Sequence, residues 1–359
     1  MPCGRGRSRP SETRALHYGA WFNMAYLAVG LAICGYVLAS ANLGQVGVLM
    51  GRAAWVGLLS VFLVSFLGFA AETWSWMVAL PALPSDLRHF MALLKIRIAG
   101  EALSDLTVSG VGGEPIKLLL VKWTFGIDGR AVVASLIIAS TTLLLSFIVF
   151  AAVGLALLAH ENRLPGGYLT GFAIGLAGFS VAIGLFYLVQ RYRLASFTGS
   201  WFATRIWHRL ARLLHHVREV DDRLHAFYTG RPARVWIAMA LAFAGWVLGA
   251  LELYVTTLTL GVTLSASQAW SIEAVTQLAR QATFFIPLRL GVQEASLLLV
   301  YGTLTGDPSL GLAVALVRRA REAAWVGGGL LLGWYLMRQK RAAVADTGAG
   351  RGDYTGKPP

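Results

Sequence analysis

The sequence is poor in charge and nearly without cysteine. Only 14% of its 359 residues are Asp, Glu, Lys or Arg, against about 25% in a soluble domain. Hydrophobic residues make up 56% and gather in runs of more than twenty. Together these exclude an ordinary cytosolic enzyme and a disordered chain. Two cysteines, Cys3 and Cys34, exclude a disulfide scaffold, and there is no Asn-x-Ser/Thr sequon. Catalytic signatures are missing too. There is no Gly-x-x-x-x-Gly-Lys-Ser/Thr phosphate loop, no His-Glu-x-x-His metal pair and no Gly-x-Ser-x-Gly nucleophile elbow. No enzymatic activity and no cofactor are expected. What remains is a polytopic membrane protein.

Crossing the hydrocarbon takes about 20 apolar residues as a helix. Six segments qualify: 18–41, 53–80, 131–159, 168–190, 235–262 and 309–337. The first follows a tail carrying Arg5, Arg7, Arg9 and Arg14, and Ala39-Ser40-Ala41 resembles a signal cleavage site. The run is longer than the ~7–15 apolar residues of a secretory signal, so it reads as an uncleaved span.

Net charge is +13, from 31 Lys+Arg against 18 Asp+Glu. The excess lies between apolar spans, where it reports topology and contact with anionic lipid rather than nucleic acid. Nine Arg fall in 191–234, and Arg338, Lys340, Arg341, Arg351 and Lys357 close the chain. The positive-inside rule puts these segments and the tail 1–17 in the cytoplasm. The expected organisation is a basic tail (1–17), a first membrane half (18–190), a cytoplasmic linker (191–234), a second membrane half (235–337) and a basic, disordered tail (338–359).

Two further stretches, 88–130 and 266–308, are apolar but broken by Gly, Pro and charge. The first breaks at Ser109-Gly110-Val111-Gly112-Gly113-Glu114-Pro115, the second at Ile286-Pro287-Leu288-Arg289-Leu290-Gly291-Val292-Gln293-Glu294. Each arm is too short to span, so both read as re-entrant helical hairpins. Such broken backbone is tolerated at depth where protein or a wet cavity satisfies it. A shift of 179 residues places Gly112 on Gly291, Leu118-Leu119-Leu120-Val121 on Leu297-Leu298-Leu299-Val300, and Asp128 on Asp307. With the expected topology the copies are inverted, as in many secondary transporters. Chance likeness between two re-entrant loops is the competing explanation. The fold class expected is all-α, with six transmembrane helices and two re-entrant hairpins in an inverted repeat.

Ionisable groups inside the hydrocarbon cost at least ~2.5–3.5 kcal/mol each and point to function. Arg318, Arg319, Arg321 and Glu322 begin ten residues into the last span, or ~15 Å along it. Arg318 and Glu322 share a helix face, so an internal structural pair competes with an anion site. Three Arg against one Glu leave a positive surplus, to be met by Glu101, Glu114, Glu294 or a lipid phosphate. Arg280 and Arg289 in the second hairpin join these as candidate substrate-binding residues. Gly112, Gly113, Pro287 and Gly291 are the candidate breaks. Glu114 and Glu294 open the second arm of each hairpin, where capping is the simplest role. Glu72 and Glu252 are expected at an interface or a polar neighbour.

The linker carries an apolar stripe of Phe202, Ile206, Leu210, Leu213, Val217, Val220, Leu224 and Phe227, with Arg205, Arg209 and Arg212 beside it. It suits an amphipathic helix on an anionic leaflet and equally a helix packed on the bundle. His208, His215 and His216 lack carboxylate or Cys partners, so no metal is expected.

At Val111-Gly112-Gly113-Glu114, at Ile286 to Glu294 and at Val317-Arg318-Arg319-Ala320-Arg321-Glu322 the chain resembles the flippase-like superfamily named for the transmembrane region of lysylphosphatidylglycerol synthase. The nearest branch is the hopanoid-associated membrane proteins of bacteria. The resemblance spans about residues 20–337. It implies movement of a hopanoid or another polar lipid between leaflets or toward the outer membrane, with membrane lipids as partners. Departures occur at Leu288, Arg289 and Ala295, and at Ala139 and Leu143, where that branch often carries carboxylates. Full-length synthases add a soluble aminoacyl-transfer domain that is not seen here. The alternative is a membrane-embedded lipid transferase or a non-catalytic partner of a lipid-biosynthesis enzyme. Oligomeric state is not legible.

Overall fold

The computed structural model describes residues 55–107, 112–161, 166–192, 208–230, 232–283 and 291–349, with isolated positions between 44 and 51. Side chains at 208–218 and beyond 339 are outside that description. So are the expected span 18–41, both cysteines, Pro287, Arg289 and the first part of the linker stripe.

Ten α-helices make up the described chain, with no strand among the described residues. They are α1 (Trp55–Ala79), α2 (Leu87–Leu106), α3 (Gly113–Phe125), α4 (Gly129–Glu161), α5 (Gly166–Arg191), α6 (His208–Gly230), α7 (Pro232–Thr259), α8 (Ala266–Ala282), α9 (Val292–Thr305) and α10 (Pro308–Ala349). Four of them, α1, α4, α5 and α7, are long and apolar enough to cross a membrane. Their outer faces expose Trp55, Leu59, Val149, Ile174, Val181, Leu185 and Trp236. A helix apolar on all sides belongs in lipid or a large core. Helix α10 is long enough as well, but Arg318, Arg319, Arg321 and Glu322 interrupt its apolar stretch. It also continues to Ala349 instead of ending near 337 in a disordered tail, because Arg338 to Ala345 is rich in Arg, Lys, Gln and Ala, all strong helix formers.

Both broken stretches are helix–break–helix. Helix α2 packs on α3, and α8 on α9. At roughly 20 Å each, α3 and α9 are too short to span alone. Beside the first break the arms close on backbone: a Cβ at Gly113 would lie 2.0 Å from the Gly100 carbonyl oxygen. Only glycine lets the two arms meet there.

The 179-residue correspondence extends beyond the two broken stretches. Helices α8, α9 and α10 begin at Ala266, Val292 and Pro308, each 179 residues after the starts of α2, α3 and α4. The caps correspond as well. Asp86 accepts the His89 N–H at 2.8 Å to open α2, and Ser265 accepts the Gln268 N–H at 3.1 Å to open α8. The His89 N–H and side-chain bonds hold the Asp86 carboxyl below its ordinary value. Gly126 and Gly306 end α3 and α9 in the left-handed conformation, at φ 68° and 76°, which a glycine adopts without penalty.

The halves also pack reciprocally. Helix α10 lies against α2, and α4 against α8. Glycine permits both crossings, since Gly329 faces Ala102 and Gly154 faces Ala274. Gly329 and Gly333 therefore serve close packing, while Gly171 faces open space. The equivalent helices α1 and α7 run antiparallel along one another. Gly57 meets Thr259 at one end, and Ser75 Oγ donates to the Ala238 carbonyl at 2.8 Å at the other.

Each half buries its own core. Trp76, Leu80, Leu93, Leu94, Ile96, Leu120 and Val121 fill the first, and Leu253, Ile272, Leu297, Tyr301 and Val314 the second. Helix α6 docks on the bundle: Leu224, Phe227 and Tyr228 are buried against Ala79, Ala134 and Ile138. For the described end of the linker, packing on protein accounts for the stripe.

Candidate functional site

Helix α10 carries four charged residues within one and a half turns, so they fan out to different neighbours. Arg318 is ion-paired to Glu273 of α8, with side chains only 3% and 1% exposed, and its Nε lies 3.9 Å from Glu252 of α7. Arg319 meets Glu294 of α9 at 2.5 Å and Glu322 at 3.1 Å. Arg321 pairs with Glu252, and donates to Ser65 Oγ of α1 at 3.3 Å. Glu322 also takes Arg280 of α8 at 2.9 Å, and Arg280 in turn binds Gln293 of α9.

Five helices thus converge on one ionic network. Arg280, Arg318, Arg319 and Arg321 face Glu252, Glu273, Glu294 and Glu322, so the described network is formally neutral. This corrects the expected positive surplus, because carboxylates arrive from α7, α8 and α9 as well as from α10 itself. The expected Arg318–Glu322 pair does not form, since Arg318 turns to α8 and α7 while Glu322 turns to Arg280, Arg319 and Arg321. Even so, buried polar atoms are left over. Nε of Arg280, Arg318 and Arg321, Oε1 of Glu252, Oε2 of Glu294 and Nε2 of Gln293 have no hydrogen-bond partner among the described residues. Each such atom costs about 1–3 kcal/mol if it stays unsatisfied.

Arg280, Arg318, Arg321, Glu252 and Glu273 of the network line a cavity of about 170 Å³ between α1, α7, α8 and α10. Its wall on α1 is Val64, Ser65, Gly68, Phe69 and Glu72, and on α7 it includes Gly245, Trp246, Gly249 and Glu252. Trp325 donates to Ser65 Oγ at 3.1 Å and lies among Phe62, Phe66 and Phe69.

A second, smaller cluster occupies the first half. Lys117 of α3 meets Glu101 of α2 at 2.7 Å and Glu114 at 2.9 Å. Arg97 of α2 is ion-paired to Glu72 of α1 and lies 3.8 Å from Glu101. The stem of Lys117 passes over Gly100, where a Cβ would sit 2.4 Å away. These groups line a cavity of about 60 Å³, together with Ala139, Ser140 and Leu143 of α4. Ala139 and Leu143 stand 179 residues before Arg318 and Glu322. The first half therefore has neutral residues where the second has its charged helix.

Of the candidates from sequence, Arg280, Glu294, Arg318, Arg319, Arg321 and Glu322 come together. Glu101 and Glu114 do not join them; they bind Lys117 instead. Glu114 and Glu294 lie in the first turns of α3 and α9 as expected, but Gly112 and Gly291 hold the N-cap positions with no side-chain cap bond. Gly112 N–H donates to Thr107 Oγ1 at 3.0 Å across the break. Sequence reading gave Glu72, Arg97, Lys117, Glu252, Glu273 and Gln293 no place in a candidate site. Two signals were present, Arg97 four residues before Glu101 and Lys117 three after Glu114. Glu252 has no local partner, so nothing short of the fold reveals it. No group of His, Cys, Asp and Glu suited to a metal occurs among the described residues.

A family model described as "Lysylphosphatidylglycerol synthase TM region" matches residues 23–343. No curated protein and no solved structure matches the chain.

Proposed function

Since the chain belongs to the lysylphosphatidylglycerol synthase TM region family, we propose that it is a flippase-like lipid transporter whose cavity between α1, α7, α8 and α10 receives the polar head group. One observation carries this reading: a cavity beside two helices long and apolar enough to cross a membrane is walled by guanidinium groups whose buried Nε donors lack acceptors among the described residues. A ligand rich in acceptor oxygens satisfies such donors. The neutral balance of four Arg and four Glu favours a head group bound through hydrogen bonds and dipoles, over one held by net charge alone. Polar hopanoids and phospholipids both fit that description.

The antiparallel α1–α7 pair and the 179-residue repeat favour an inverted-repeat architecture, with α2–α3 and α8–α9 as re-entrant hairpins. In that architecture the hairpins reach the midplane from opposite sides, and both termini face the cytoplasm of a bacterial inner membrane. Alternating access then amounts to one half rocking against the other about the α1–α7 seam.

The test is lipid analysis of the full chain in native-membrane nanodiscs, wild type beside Arg280→Ala and Arg321→Ala, both of which line the cavity. One lipid class enriched over bulk membrane and lost in both variants is the expected result. Bulk composition in all three samples overturns a specific head-group site. A dithionite-quenching assay on vesicles holding the enriched class then tests movement between leaflets.

A further inference from the structure

Glu72 is the one carboxylate that lines both cavities. It projects from α1 into the seam with α7, where Gly245 makes room for it; a Cβ there would stand 2.9 Å from Glu72 Cγ and 3.2 Å from Oε1. Its Oε2 takes Arg97 Nη2, whereas Oε1 has no hydrogen-bond partner among the described residues. With a side chain 24% exposed, it borders the cavity space instead of packing into protein.

The surroundings of Glu72 set it apart from the other carboxylates of the larger cavity. Glu273 holds Arg318, and Glu252 holds Arg321. Both carboxylates are almost wholly buried against these guanidinium groups, so neutralising either is strongly unfavourable. Glu72 differs in exposure, its side chain being 24% exposed against 5% for Glu252 and 1% for Glu273, and Glu101 stands 3.8 Å from Arg97 Nη2, one helical turn along α2. If Glu72 takes a proton, Arg97 keeps a counter-ion.

We propose that Glu72 is a proton-binding site joining the two cavities, and that its protonation is linked to head-group occupancy of the Arg-walled cavity. One proton adds to Oε1, the Glu72–Arg97 ion pair becomes a neutral hydrogen bond, and Arg97 shifts its charge interaction to Glu101. The groups facing Glu72 are Arg97 and Glu101 on α2, Glu114 and Lys117 on α3, Glu252 on α7, Glu273 and Arg280 on α8, and Arg318 and Arg321 on α10. From α4 the facing polar group is Ser140, which does not titrate. A head group entering the larger cavity alters the field at Glu72 through its own charge and dipole, and that is the physical basis of the link. The linkage rests on the lipid reading above, but the proton site itself does not.

The experiment is pH-difference infrared spectroscopy on the full chain in phosphatidylglycerol-containing vesicles, paired with flipping of a fluorescent phosphatidylglycerol measured across the same pH series. Wild type is expected to gain a protonated-carboxyl C=O band on acidification. That band disappears in Glu72→Gln and shifts in frequency in the conservative Glu72→Asp. Flipping is expected to follow the same titration in wild type and to lose its pH dependence in Glu72→Gln. A band unchanged by both substitutions overturns the proton site. Flipping with an unaltered pH profile in Glu72→Gln overturns the linkage while leaving lipid transport standing. A Glu72 band without any flipping sinks the transport reading and the linkage, yet keeps the proton site.

Discussion

Arg318 on α10 and Glu273 on α8 form an ion pair whose side chains are almost wholly buried, at 3% and 1% exposure. The two residues are 45 positions apart, so the pair forms only when the second hairpin is docked on the last helix. Removing one partner of such a pair strands the other, at a cost of about 3–5 kcal/mol. Arg318→Met and Glu273→Leu are each expected to lower stability in detergent by that order. The double variant should lose less than the sum of the two. A thermal-denaturation double-mutant cycle reads the coupling, and strict additivity contradicts the pair.

At Gly154 the approach of α4 to α8 is limited by one atom pair. A Cβ at Gly154 would meet Ala274 Cβ at 2.4 Å, with nothing else closer than 3.4 Å. Gly154→Ala is therefore expected to destabilise by about 1–3 kcal/mol, and Ala274→Gly should restore most of the loss. The equivalent crossing of α2 and α10 behaves differently. At Gly329 the Ile98 carbonyl oxygen also lies 2.7 Å away, so Ala102→Gly should not rescue Gly329→Ala. Melting midpoints of the four variants check both statements.

The arms of the first hairpin touch backbone to backbone. A Cβ at Gly113 would lie 2.0 Å from the Gly100 carbonyl oxygen and 2.2 Å from Ser104 Oγ. Gly113→Ala should part α2 from α3 and loosen the Lys117–Glu101 contact. Hydrogen exchange is expected to rise across residues 100–125, while the second half keeps its protection. Unchanged exchange in the first hairpin counts against the close approach.

The cap of α2 makes a prediction about pH. Asp86 is held below its ordinary value by the His89 N–H and ring, so its contribution is present above about pH 4 and fades as pH falls through the lowered native value. Asp86→Ala should therefore lower the melting midpoint at pH 7. The gap to wild type should close at strongly acidic pH. A gap independent of pH means that the carboxylate is not the capping acceptor.

Hydropathy, charge and turn chemistry act locally, and they settled much of the architecture in advance. The runs at 53–80, 131–159, 168–190 and 235–262 are helices within a few residues of those limits, since a window of apolar residues needs no knowledge of its neighbours to favour lipid. The 179-residue shift was legible from Gly112 and Gly291, Leu118 and Leu297, and it reappears in the starts of α2, α3 and α4 against α8, α9 and α10. Arg318 to Glu322 announced themselves as charges in an apolar helix. Partner choice was not legible, because it depends on which helices cross. Glu252 and Glu273 reach Arg318 from α7 and α8, and so turn an apparent positive surplus into a neutral network. Glu72 looked like a residue near the end of a span; the antiparallel packing of α1 on α7 puts it between two cavities. Pairing energy depends on distance and burial, and neither exists until the chain has folded.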